Sequence, residues 1–105
     1  MFNSCEEPGV TGIDLRSLPP GTELVVDTRN SRYRLVMLDG PDSNALVRGG
    51  RYFRQETEAR INGSTNGGSP LKRGWIGLGL FVEISAGGKR IVTSPVRSIK
   101  VEETH

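Results

Sequence analysis

Chemically reactive side chains are scarce in this sequence. Its 105 residues include one cysteine, Cys5, and one histidine, His105. One cysteine excludes an internal disulfide, and the two residues together leave too few ligands for a structural zinc site. The Cys–His and Ser–His pairs of nucleophilic enzymes are equally hard to assemble from residues near the two ends of a chain. Long apolar runs are missing as well, since no stretch approaches the ~20 residues of a membrane-spanning helix. The opening residues, MFNSCEEPGV, have neither the basic n-region nor the apolar h-region of a secretory signal. These absences predict a soluble, cytoplasmic, non-catalytic protein with no metal and no cofactor.

Helical periodicity is also absent, and the composition explains what replaces it. Only 34% of residues are hydrophobic, whereas glycine (14) and proline (6) are frequent, as in short strands joined by tight turns. Alternation with period two begins at Glu23. In ELVVDT, Leu24 and Val26 share a face; in RYRLVML, Tyr33, Leu35 and Met37 do so, with Arg29 and Asn30 as the hairpin turn between the two segments. DGPD is a second turn, NALVR a further strand, GGRYF a bend into another strand or an edge segment, and TEARIN a strand with Ala59 and Ile61 inward. The segment GWIGLGLFVEIS carries an unbroken apolar series at Ile76, Leu78, Leu80, Val82 and Ile84, which predicts one long core strand. Ala86, Gly87 and Gly88 turn the chain into KRIVTS, and Pro95 interrupts before VRSIKV. Ahead of all this, Asp14 is placed to cap one helical turn that Pro19 and Pro20 stop. The expected fold is all-β: a small antiparallel barrel or sandwich of about six to seven short strands spanning residues 13–102. Residues 1–12 and 103–105 read as tails.

Charge and aromatic placement supply the candidate sites. Eleven of the basic residues are arginine, and between Pro20 and Lys100 cations outnumber acids. Guanidinium groups suit bidentate contacts to phosphate and carboxylate. The anion-binding candidates are Arg29, Arg32 and Arg34 at the first hairpin, Arg51 and Arg54 beside Tyr52 and Phe53, and Lys72 and Arg73 with Asn62 and Ser64. Asp27, Asp39, Asp42, Glu56 and Glu58 lie near them in sequence and offset part of their potential. Glu56 and Glu58 share a face on a strand, which beside arginines reads as an ion-paired surface rather than an acid and base pair. A separate candidate is the odd face of the long strand, Trp75, Gly77, Gly79 and Phe81. There two aromatics separated by glycines wall a groove about 20 Å long at ~3.3 Å per residue, suited to stacking single-stranded nucleic acid or accepting a peptide strand. The competing reading is that these glycines curve the sheet while Trp75 and Phe81 cover a small core.

The loop Asn62–Gly74, containing NGSTNGGSP, lacks the glycine and lysine spacing of a phosphate loop. Asn62–Gly67 reads N-x-S-x-x-G and resembles the second signature of PilZ domains, small β-barrels that bind cyclic di-guanylate. That family's upstream R-x-x-x-R is missing, because Arg29 and Arg32, Arg48 and Arg51, and Arg51 and Arg54 are each three apart. Over most of its length, from LPPGT through TRNSRYRL, GGRYF, ARINGST and KRGWIGLGL to IVTSPVRSI, the chain resembles a family of small, uncharacterised all-β bacterial proteins. That resemblance implies a bacterial single-domain unit and carries no mechanism. The expectation is a binding module: for a protein partner or a second copy of itself through Trp75–Phe81 and exposed strand edges, with an anionic ligand, either single-stranded nucleic acid or a cyclic dinucleotide, as the alternative.

Overall fold

The computed structural model describes residues 12–67 and 71–102. The tails expected at 1–11 and 103–105 lie outside the described residues. Gly12, placed with the tail from sequence, belongs instead to the first strand. The fold is almost entirely β, with one 3-10 turn, Leu15–Ser17, capped by Asp14 as expected: the Asp14 carboxylate accepts from the Arg16 backbone N–H at 3.0 Å.

The main sheet is antiparallel and follows the chain closely. Strands β2 (Glu23–Thr28), β3 (Arg32–Asp39), β4 (Asn44–Gly49) and β5 (Phe53–Thr65) form a meander. Strands β8 (Phe81–Ala86) and β9 (Lys89–Val92) extend it beyond β5, and β10 (Val96–Glu102) returns to pair with β2. The two-residue β6 (Lys72–Arg73) adds to β5, while β1 (Gly12–Asp14) and β7 (Trp75–Gly77) make a separate two-stranded sheet.

Period two does what it predicts along the first hairpin and at Ala59 and Ile61 of β5. Leu24 and Val26, Tyr33, Leu35 and Met37, and Ala59 and Ile61 all enter the core, joined by Ala45, Val47, Phe53, Val82, Ile84, Ile91 and Val96. Ile13, Leu15 and Ile76 come from the small sheet and the 3-10 turn and complete the same cluster. On the outer face Val25 is flanked in register by Arg34 and Lys100, and it too is buried. Arginine and lysine stems commonly cover apolar surface in this way while their charged ends stay wet.

Three expectations need correction. Ten strands form among the described residues, not six or seven, because β1, β6 and β7 are too short to show alternation. The sheet is open rather than a barrel: no ladder joins β9 to β10. Val96, at the start of β10, bonds instead to the turn before β8: its N–H donates to the Leu80 carbonyl at 2.9 Å and its carbonyl accepts from Gly79 N–H at 2.8 Å. Finally, GWIGLGLFVEIS is two strands. A turn with Gly79 at φ +81° and Leu80 N–H donating to Gly77 O separates β7 from β8. Leu78 still packs on the core from within that turn, so the apolar alternation runs straight through the break.

Hydroxyl groups fasten the corner where the sheet ends meet. Ser94 Oγ donates to Thr28 Oγ1 at 2.8 Å and accepts from Asn30 N–H at 3.0 Å, while Arg29 N–H donates to Pro95 O. This ties the β2–β3 hairpin to the segment between β9 and β10.

Two predictions follow from the core. Ile84→Ala, on a strand paired on both sides, should cost about 2–5 kcal/mol in urea denaturation, whereas the exposed Val101→Ala should change little. Burial pushes the Tyr33 phenol above its ordinary 10.0. A raised acid favours the neutral folded form, so this contribution is intact below the unfolded value and is lost as pH rises through the raised one. Tyr33→Phe should flatten that alkaline decline in denaturation midpoints.

Candidate anion-binding cleft

The most developed cavity lies where β5 changes neighbours. Up to Arg60 one edge of β5 is held by β4, and from Gly63 the same strand pairs with β6. The changeover is closed by single backbone hydrogen bonds: Ile61 N–H donates to Ser43 O at 2.9 Å, and Gly74 N–H to Asn62 O at 3.2 Å. Between the turn before β4 and the end of β6 a cleft of about 510 Å³ opens, lined by Arg16, Asp42, Ser43, Arg60, Asn62 and Arg73 among others.

Local chemistry explains how each side gets its shape. Ser43 is the non-glycine residue with positive φ, 57°, among the described residues, and its N–H bonds back to Gly40 O at 2.8 Å. On the other side Gly63, at φ +147°, lets β6 approach: a Cβ there would collide with the Lys72 carbonyl and lie 2.9 Å from Arg73 Cα. That approach carries Arg73 to the cleft. Gly74 in turn leaves room for the Arg16 side chain, whose Cγ and Cδ would lie 3.0 and 2.9 Å from a Cβ at that position. The Leu15 N–H donates to Gly74 O at 2.8 Å and locks the 3-10 turn against β6.

Three guanidinium groups therefore face one cavity from three remote parts of the sequence. Arg16 is partly engaged, with Nε 3.2 Å from Asp14 Oδ1. Arg60 and Arg73 are exposed and form no ion pair among the described residues. Two carboxylates also line the cleft, Asp42 and Glu83. Glu83 is already occupied, accepting from Asn62 Nδ2 at 3.0 Å and from Arg90 at 3.4 Å. Asn62 Nδ2 also donates to Ser85 Oγ at 2.7 Å.

The sequence-derived anion candidates divide sharply. Arg73 and Asn62 reach the cleft. Ser64 does not: it is 2% exposed, its hydroxyl donates to Trp75 O at 2.6 Å, and it accepts from Gly77 N–H at 3.1 Å. Lys72 points to the other side of β6, with its amine 4.2 Å from the centre of the Trp75 ring. Arg32 is paired with Asp27 at 2.7 Å, and the guanidinium holds that carboxyl below the usual carboxylate range. Arg34 reaches Glu23 and Glu102 at 3.4 and 3.0 Å. Arg29, Arg51 and Arg54 are exposed and lie outside the cleft lining. Arg16 and Arg60 were missed, and no local signal marks them, since one reads as part of a capped turn and the other as the outward position of a strand.

The partner-binding candidates do not lie on one strand, because Trp75 and Gly77 stand on β7, Gly79 in the turn and Phe81 on β8. The half-buried Trp75 ring lies across glycine backbone: a Cβ at Gly12 or Gly77 would sit 2.6 or 2.8 Å from it. Phe81 lies against Gly67, 3.2 Å from where that residue's Cβ would be.

Among the described residues no group of three or more His, Cys, Asp or Glu is placed to hold a metal ion, and no helix is long and apolar enough to cross a membrane.

Ser64 gives a test that separates a structural from a ligand-binding role. Ser64→Ala leaves the buried Gly77 N–H without its acceptor and should cost about 1–3 kcal/mol. Trp75 fluorescence should shift as β7 loosens. A variant of unchanged stability would show that this hydroxyl holds nothing together.

Compared with known proteins, the chain matches no family model, no curated protein and no solved structure.

Proposed function

We propose that this chain is a non-catalytic binding domain for a small anionic molecule, held in the cleft between β4 and β6. The observation that carries the reading is the convergence of Arg16, Arg60 and Arg73 on one cavity, with Arg60 and Arg73 free of ion pairs among the described residues. A volume of about 510 Å³ lies within the usual range of small-molecule sites, roughly 300–1,000 Å³. Guanidinium forks supply paired N–H donors for a phosphate or carboxylate.

A compact ligand is favoured over a nucleic-acid strand. Single-stranded nucleic acid needs a continuous basic track with aromatic stacking platforms. Here Arg32 and Arg34 are engaged by acids, Trp75 lies under Lys72, and Asp42 and Glu83 limit the positive potential of the cleft itself. The PilZ-like signature adds no phosphate donor, because the Asn62 amide nitrogen already donates to Glu83 and Ser85.

Calorimetric titration with pyrophosphate, cyclic di-guanylate and a short single-stranded DNA tests the proposal. One of the first two should bind at low ionic strength. Arg60→Ala and Arg73→Ala should each weaken it about 10- to 100-fold, the equivalent of losing a charge-assisted hydrogen bond of about 1.5–3 kcal/mol. Lys72→Ala and Arg32→Ala should leave the affinity unchanged. Absence of binding by both small probes, or full binding by the Arg60→Ala, Arg73→Ala double variant, overturns the reading. Preferential DNA binding with a steep salt dependence would replace it with the nucleic-acid alternative.

A further inference from the structure

Charged groups of both signs line the cleft between β4 and β6, and they are not used alike. Glu83 is taken up by Asn62 and Arg90, and Asp14, beside the cleft, is taken up by Arg16. Asp42 differs from both, because its carboxylate makes no ion pair or hydrogen bond among the described residues. The same holds for the guanidinium groups of Arg60 and Arg73. One anion and two cations therefore share a cavity without neutralising one another.

Each sign is carried by a separately anchored wall. Asp42 stands in the turn at residues 40–43, where its own N–H donates to Asp39 Oδ1 at 3.4 Å and Ser43 N–H closes on Gly40 O. Gly40 lets this turn rest on the backbone of the 3-10 turn: a Cβ there would lie 2.8 Å from Leu18 O and 3.0 Å from Arg16 O. Arg73 hangs from the opposite wall, which Gly63 fixes against β5, and Arg60 rises from β5 itself. Pro41 and Leu71 add apolar surface between them. A cleft of about 510 Å³ is sized for a whole organic molecule rather than a lone ion.

We propose that the ligand is dipolar, an organic oxyanion that also carries an ammonium group, with the oxyanion held by Arg60 and Arg73 and the ammonium by Asp42. This rests on the cleft being the binding site, and it makes Asp42 the residue that sets specificity there. A carboxylate in the cavity repels a molecule that is only anionic, and a positive group on the ligand turns the same carboxylate into a partner. Discrimination then comes from one side chain that works against the wrong ligand and for the right one.

Calorimetric titration with matched pairs of straight-chain phosphates tests this, each alkyl phosphate from ethyl to hexyl against the ω-aminoalkyl phosphate of equal length. At the length that spans the cleft the amino compound should bind about 10-fold more tightly, as a charge-assisted hydrogen bond provides, although it carries less net negative charge. Asp42→Asn removes the charge and no hydrogen bond of the fold. It should weaken the amino compound and tighten the alkyl phosphate, which brings the two affinities together. Arg60→Ala should weaken both and leave their ratio unchanged. Equal affinity of the two compounds at every length, or an amino preference that persists in Asp42→Asn, overturns the dipolar ligand, and the cleft reading survives where Arg60→Ala still weakens both. Binding of neither compound overturns the two together.

Discussion

Strand β5 exchanges its neighbours at Arg60–Asn62, and the rest of the molecule is arranged around that exchange. Before it, β4 holds one edge and the other has no strand partner among the described residues. After it, β6 occupies the first edge and β8 the second. A change of partner in mid-strand threatens to strand backbone polar groups in a partly buried place, which proteins rarely tolerate. Two hydrogen bonds from outside the regular ladders resolve this, Ile61 N–H to Ser43 O and Gly74 N–H to Asn62 O. The gap between the incoming and outgoing strands then persists as a cleft with a satisfied backbone. Its floor carries Arg60 and Asn62, the outward positions on either side of the buried Ile61.

Electrostatics follows from the same geometry. Along the continuous part of the sheet, cross-strand neighbours pair basic with acidic side chains, as with Arg32 and Asp27 or Arg34 with Glu23 and Glu102. Such exposed pairs add little to stability, but they neutralise the field near the surface. At the cleft regular pairing stops. Arg60 has Asn44 and Ser85 as register neighbours, neither an acid, and Arg73 sits on a strand of two residues. Unpaired cations therefore collect where the ladder is interrupted, and that is also where a cavity exists.

The hairpins, the two tight turns and the inward faces of β2, β3 and β5 were legible because each has a core on one side and water on the other. Where that condition fails, the pattern fails. Arg54–Glu58 shows no alternation since both faces of this edge segment are wet, so β5 reads as beginning near Thr57 rather than at Phe53. The opposite error arises at Gly77–Leu80, where Leu78 packs on the core from a turn as it would from a strand. The cleft was half visible. Asn62 and Arg73 flank a glycine-rich segment that draws notice, whereas Arg16 and Arg60 become neighbours of them only through the pairing of β5 with β4 and β6. Nothing local in IDLRS or TEARIN encodes that proximity.

The N-x-S-x-x-G pattern shows how sheet physics alone can select such a motif. Asn62 bridges across β5 and β8 to Glu83 and Ser85, which fixes the amide nitrogen and turns the carbonyl oxygen free. Ser64 is required where it is because β7 crosses β5 without a regular ladder, and one hydroxyl can both donate to Trp75 O and accept from Gly77 N–H. Gly67, at φ +99°, turns the chain beside the Phe81 ring at a distance that leaves little room for a side chain. Each position has a structural duty that would select its residue type in the absence of any ligand. Only Asn62 among the three also lines the cleft, whose arginines belong to no short motif.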